Sequence, residues 1–468
     1  EHEMPAIALN ESVSVTPKLF IGLWTELTEE GWSADGKCAV SRKVECPHPL
    51  AQKPLQAVST DTGPTVEISP SPAETVGEIE QQLGQLRTVI GTKLQSRQVG
   101  LLGSGVNPDL GVTLDEYYRY RTPRSAYDYA INERGWHHET MLNIAAIQEV
   151  LDIPIAQAPA ILAVLHRLSG VILFLNRNDP GLGGQESKGI LSIRPAAWRD
   201  QVPTTTGIFA GDCLKVYLPS QEINTWQTYL NLLWDANPMF LLGTKSNGLI
   251  YVPEHPTFGT FISSPPREGW TARRLDTSES IRVIPDMGHV AQTDWTYMGF
   301  ARLRLFWKSD TKLEEVVEAY HCGGVGLESF LLSHLEKVLL ENRSSASPPP
   351  GEEMCSLAFI VGLIENFSAV ERFVKAKPYS FWLALAKGAE TLPMMSKVEG
   401  VDVVDLLSQV LSLSNSGLLQ RGYGEEEYLD SLFRRITEGQ SPSERMLKFY
   451  EVGGKLNVID KLLYRFPI

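Results

Sequence analysis

Apolar residues recur along the chain in two rhythms. At Val76, Ile79, Leu83, Leu86, Ile90 and Leu94 they fall at steps of three and four, which predicts a helix opening near Ser71-Pro72 and running to about residue 94. Residues 159–175 are apolar almost throughout and predict a helix buried under a sheet. Short apolar runs at 21–27, 65–68, 189–193, 249–252 and 280–284 lie near turn residues and predict strands. Beyond Thr311 the rhythm becomes helical, at 313–340, 357–376, 401–413, 425–436 and 442–450. Residues 343–353 (RSSASPPPGEE) read as a polar, mobile connector. The expected organisation is an α+β body over 1–310 and an all-helical region over 311–468, with a Pro-rich loop at 343–353.

Charge narrows the function classes. The 468 residues carry 42 Lys and Arg against 56 Asp and Glu, a net charge of −14. Without a basic run, duplex nucleic acid and anionic membrane surfaces are poor partners. Five cysteines (Cys38, Cys46, Cys213, Cys322 and Cys355) are scattered with no CxxC pair. This argues against a disulfide framework or zinc ribbon and for a reducing, cytoplasmic setting. The stretch 158–175 is interrupted by His166 and Arg167 and reads as too short to span a bilayer. The opening Glu1-His2-Glu3-Met4 lacks the basic start and apolar core of a signal peptide.

The common catalytic signatures are missing. No GxxxxGK[ST] loop and no strand–GxGxxG–helix unit occurs, and Leu102-Gly103-Ser104-Gly105 is not a GxSxG elbow. His137-His138-Glu139 fails the HExxH pattern because Leu142 stands where the second histidine belongs.

The informative segment is Val58-Ser59-Thr60-Asp61-Thr62-Gly63-Pro64-Thr65-Val66-Glu67-Ile68-Ser69. Strand alternation places Thr65, Glu67 and Ser69 on one face and Val66 and Ile68 on the other. Glu67 is then either a solvated acid on an edge strand or a carboxylate aimed into a cleft to hold Mg²⁺, an ion that prefers oxygen ligands.

Here the sequence resembles the glutamate–cysteine ligases of the plant and alphaproteobacterial type, relatives of glutamine synthetase. Residues 65–72 (TVEISPSP) are similar to that family's QFELSGAP, and residues 147–152 (IQEVLD) to its VQVNLD. Residues 189–194 (GILSIR), then Trp198, Asp200 and Thr206-Gly207, follow the spacing of GFLSMRxxxWxDxDxxRTG. Asn237-Pro238-Met239-Phe240 and residues 257–261 (TFGTF) resemble VPMYF and MTFRQFL, and Asp286-Met287 with Trp295 keeps the spacing of EMRGADGGPW. The resemblance implies a glutamine-synthetase-like curved antiparallel sheet with flanking helices. It also implies ATP and Mg²⁺ as cofactors, amino acids as substrates, and an amide formed through an acyl phosphate. For the site it implies metal ligands at Glu26, Glu67 and Asp286, a substrate carboxylate on Arg194, and Gln148 and Trp198 along the substrate pocket.

The departures shape the functional expectation. The family's GxExE strand is matched to Gly22-Leu23-Trp24-Thr25-Glu26, which puts Trp24 at the first carboxylate position. Charged positions of the family are neutral at Ala126, Thr205 and Gly288, and its Glu is shortened to Asp286. Each lost oriented charge removes about 2–4 kcal/mol of transition-state stabilisation. The expectation is an ATP-dependent carboxylate–amine ligase with altered substrate or weak activity. The alternative is a catalytically silent homologue that binds or regulates.

Overall fold

A computed structural model describes residues 1–35, 39–43, 55–61, 63–110, 113–136, 143–182, 189–201, 218–236, 241–242, 248–292, 297 and 299–466, with residues 198–201 described by main chain alone. The fold class is α+β, with antiparallel sheets and a helix-rich C-terminal region.

The first sheet has six antiparallel strands: β1 (His2–Ala8), β2 (Ser33–Asp35), β3 (Ala39–Lys43), β4 (Leu55–Thr60), β5 (Thr65–Ser69) and β6 (Val99–Leu101), in the order β2-β3-β4-β5-β1-β6. Its apolar face carries Met4, Val40, Val58, Val66 and Ile68 into the main core. Two helices cover that face: α1 (Pro17–Glu29) and α2 (Val76–Gln95). α2 starts on a capping box in which Thr75 Oγ1 accepts from Glu78 N at 3.2 Å and Glu78 Oε2 accepts from Thr75 N at 3.1 Å.

The strand expected at 21–27 is α1. Its buried residues are Phe20, Leu23, Trp24 and Leu27, the i, i+3, i+4, i+7 spacing of a helix, and Pro17 sits at its first turn. The strand expected at 189–193 is reduced to a single bridge between Ser192 and Asp179, after which the chain turns into the helix Ile193–Gln201. Residues 257–261 also belong to a helix, Phe258–Ser263.

A second sheet joins β7 (Glu149–Ile153) and the strands Ala301–Trp307 and Leu335–Asn342, with the last in the centre. The expected long helix at 313–340 is therefore broken. Helices Leu313–Cys322 and Gly324–His334 flank Gly323, whose φ of +64° is cheap only for glycine, and a strand follows. Because Leu335–Asn342 lies between two strands from before residue 311, residue 310 is not where the packing divides.

The Pro-rich segment is no mobile connector. Ser344, Ser345, Ala346 and Ser347 are buried. Ile147 N donates to Ser345 O at 3.2 Å, Ser347 N to Ala145 O at 3.1 Å, and Asn178 Nδ2 to Ser347 O at 2.8 Å. Residues 145–148 also touch β1, since Glu3 N donates to Ala146 O at 2.9 Å. Residues 145–148 and 343–347 thus stitch the two sheets together beside the start of β1.

The helix Ala158–Asn176 runs beneath the second sheet. An 18-residue window of the span 155–176 is long and apolar enough to cross a membrane, contrary to the sequence expectation, but 94% of that window is buried inside the protein. The C-terminal helices pack on its other side. At one crossing, a Cβ on Gly417 would stand 2.0 Å from Gly362 O, so helices Cys355–Glu365 and Val403–Arg421 meet backbone to backbone.

Candidate active site

The polar face of the first sheet gathers acids. Glu3 on β1 stands directly opposite Glu67 on β5, and Glu67 opposite Ser59 on β4. Like charges directly opposite each other on antiparallel strands repel. Burial, then repulsion from Glu1, Asp61 and Glu3, pushes the Glu67 carboxyl up to about 8. Glu67 makes no hydrogen bond or ion pair among the described residues. Burial and Asp61 push Glu3 up to about 7, against the pull of Arg194 and Arg343. Glu3 Oε2 accepts from Ala146 N at 2.7 Å and Oε1 from Gln148 Nε2 at 2.9 Å.

One rim holds Asp61, whose Oδ1 accepts from Tyr127 Oη at 3.0 Å and stands 3.8 Å from Arg124 Nη1. Arg124 Nη2 also donates to Thr60 O at 2.6 Å. An arginine therefore reaches this rim two residues before Ala126.

The opposite rim is cationic. Gln148 bridges to it, because its Oε1 accepts from Arg343 Nη1 at 2.8 Å while its Nε2 holds Glu3. Arg343 Nη1 also pairs with Glu341, which is fully buried and bonded by Arg302 at 3.0 Å and by Arg304. Burial alone would raise the Glu341 carboxyl, but Arg302, Arg343 and Arg304 hold it well below the usual carboxylate range. Arg194 lies in the first turn of Ile193–Gln201, not at the end of a strand. Its main-chain N donates to Asp179 Oδ2 at 2.9 Å and its Nη1 to Arg343 O. Burial and the Arg343 charge lower its pKa to about 10.

The structure brings Glu67, Gln148 and Arg194 to one region and leaves the other expected residues apart from it. Glu26 rides on α1, over the apolar face, and pairs with Lys93 at 2.6 Å and with Arg97. Glu67 faces the other way, so the two cannot share an ion. Asp286 caps the short helix Met287–Val290 and bonds His289 Nδ1 at 2.8 Å. No hydrogen bond or ion pair joins it to Glu67 among the described residues. The Trp198 side chain lies outside the described residues, as do Asp200, Thr205, Thr206, Gly207, residues 237–240, Trp295 and the His137-His138-Glu139 triplet. Trp24 is buried in α1 against the core and obstructs nothing on the polar face.

Sequence reasoning missed Glu1, Glu3, Glu341 and Arg343. A signal for the first two was present: Glu1-His2-Glu3 has the E-x-E spacing and leads an apolar run, Met4-Pro5-Ala6-Ile7-Ala8. Glu3 lies on a strand, whereas residues 22–26 lie on a helix.

Residues 31–212 match the model of Glutamate-cysteine ligase family 2. Over that stretch the chain is similar to this family. No curated protein matches the chain. Among solved structures it is similar to a bifunctional glutathione synthetase from Pasteurella multocida, at 12% identity and a TM-score of 0.48, covering 86% of this chain and 46% of that one. The chain thus spans about half the length of that enzyme.

Proposed function

We propose that this ligase-family protein is an ATP- and Mg²⁺-dependent carboxylate–amine ligase of the γ-glutamyl type. One observation carries the reading: a buried carboxylate, Glu3, and a half-buried one, Glu67, face each other across paired strands with Glu1 and Asp61 beside them. Such an arrangement is costly unless a cation joins it. All the donors are oxygens, which suits Mg²⁺. Among the described residues no three His, Cys, Asp or Glu side chains close a metal cage. Mg²⁺ takes one or two carboxylates and completes its shell with water and phosphate oxygens.

In this reading Glu3 and Glu67 hold the ion and Gln148 orients Glu3. Arg194 pairs with the carboxylate of the acid substrate. When bound, Mg-ATP supplies the phosphoryl group that activates that carboxylate. The roles first expected of Glu26 and Asp286 pass to β1, so the first carboxylate position is not lost to Trp24. The neutral positions 126, 205 and 288 still favour a substrate pair other than glutamate and cysteine.

The test is a coupled ADP-release assay with a panel of acids and amines, beside calorimetric titration of Mg-ATP. Turnover with glutamate and cysteine is expected below ~1 s⁻¹, with a faster amine in the panel. Nucleotide binding without turnover on any pair would point to the silent homologue, and absence of nucleotide binding would end the ligase reading.

A further inference from the structure

The cationic rim has a feature that the family resemblance did not indicate. Arg194 and Arg343 come from distant parts of the chain and meet where Arg194 Nη1 donates to the carbonyl oxygen of Arg343. Both charges act on the Glu3 carboxyl, so both guanidinium groups stand around the acid proposed to hold the cation. Like charges at this range repel in a poorly solvated site.

Each is nevertheless locked in place. Arg343 is fixed by Glu341 and by Gln148 Oε1 at 2.8 Å, and its main-chain N donates to Phe300 O at 2.8 Å. The chain after it is buried and hydrogen-bonded through Ser347. Arg194 is anchored through its main chain on Asp179, which Ser192 Oγ also holds at 3.0 Å. The Arg194 guanidinium makes no hydrogen bond to a carboxylate among the described residues. Set against the Arg343 main chain, with the Arg343 guanidinium held in place by Glu341 and Gln148 and both charges turned on the candidate cation site, it makes with Arg343 a preorganised receptor for an oxyanion.

We propose that Arg194 and Arg343 form a two-guanidinium oxyanion seat, with Glu341 and Gln148 as the residues that position Arg343. The seat takes either a phosphoryl group or a substrate carboxylate. Only the identity of its occupant rests on the ligase reading. Its place next to Glu3 sets the bound oxyanion against the cation, so the two reinforce each other. Arg343 lies outside the family-matched stretch 31–212.

The experiment is calorimetric titration of the full chain with three probes: a non-hydrolysable ATP analogue with Mg²⁺, pyrophosphate, and L-glutamate. Wild type, Arg343→Gln and Arg343→Lys are compared, with melting curves for each. At least one probe should bind wild type, and Arg343→Gln should weaken it by roughly tenfold or more, the scale of one charged hydrogen bond. Arg343→Lys keeps the charge but cannot hold Glu341, Gln148 and a ligand together, so it should fall between. It decides the matter if the glutamine variant does not fold. Loss confined to the nucleotide and pyrophosphate assigns a phosphoryl occupant, and loss confined to glutamate assigns a carboxylate. Wild type that binds glutamate or pyrophosphate through Arg343 but ignores the Mg-nucleotide would defeat the ligase reading and leave the seat standing. Binding of every probe unchanged in both variants would overturn the seat and, where the Mg-nucleotide is among the probes bound, leave the ligase reading standing; wild type that binds none of the probes would overturn both.

Discussion

Two buried acid sites stand a few residues apart and differ in one respect. Glu341 is fully buried, and three arginines close on it. Glu3, buried, and Glu67, half-buried, face each other with Asp61 and Glu1 near, and no cation forms an ion pair with either among the described residues. The first carboxyl is held well below its ordinary range, and the other two are pushed well above theirs. Burial raises all three alike, so the difference lies in the neighbours. A carboxylate whose cations are built into the fold is structural. The facing pair is the site proposed above to take a cation.

Removing Glu341 should give the largest effect. Glu341→Gln leaves three arginines crowded around a neutral amide, and breaking a buried pair in this way costs about 3–5 kcal/mol. Urea denaturation checks it. A loss below about 1 kcal/mol would mean that the arginines rearrange and that the contrast is false.

Glu67→Gln should act in the opposite direction. Replacing one of two facing acids removes repulsion and should stabilise the cation-free protein by about 1 kcal/mol. It should also weaken Mg²⁺ binding by roughly tenfold or more. The pH response follows from the same cause. Glu3 and Glu67 hold their protons more tightly folded than unfolded, so the folded state binds more protons once the unfolded carboxyls have ionised. Stability should therefore fall as pH rises from about 4.5 to about 8. Melting curves across that window should show the decline. Saturating Mg²⁺ should flatten it, and Glu67→Gln should flatten it without Mg²⁺.

Gln148→Ala should sharpen the boundary between the two sites, because this amide is their only bridge among the described hydrogen bonds. About 1 kcal/mol of stability should go with its two hydrogen bonds, and Mg²⁺ affinity should drop without being abolished. Calorimetry on the folded variant reads both.

The smallest effect belongs to Glu26→Gln. This acid sits in a part-exposed pairing with Lys93 and Arg97 on the far side of the sheet. The cost should be about 1 kcal/mol or less, with Mg²⁺ binding unchanged. A loss of Mg²⁺ binding here would restore the ligand set first expected from the sequence.

Local pattern was enough for much of the fold. β5, α2 and the buried helix Ala158–Asn176 are legible because alternation and three-four spacing follow directly from strand and helix geometry. Glu67 was legible for the same reason, as an isolated acid on a strand whose other face is apolar. Failure came where the same letters fit two rhythms. In 20–27, a match to a strand motif competed with helical spacing, and the apolar face of the sheet decided for the helix. The segment 343–353 has the composition of a loop, yet its hydroxyls and carbonyls find partners on residues 145–178, so a polar stretch is buried at little cost.

The sequence by itself determined that Glu67 sits on a strand and shares a face with Thr65 and Ser69, since this depends on neighbours two residues away. It also carried enough ordered spacing to point to the ligase family. Only the tertiary structure decided that Glu3 faces Glu67, that Glu26 lies behind the sheet, and that Arg343 and Glu341 stand beside Arg194. Strand order, register and the stitching of two sheets bring together residues more than a hundred positions apart, and no local pattern encodes that distance. The charge environment of each acid, and with it the difference between a structural carboxylate and a binding one, is set by those long-range neighbours.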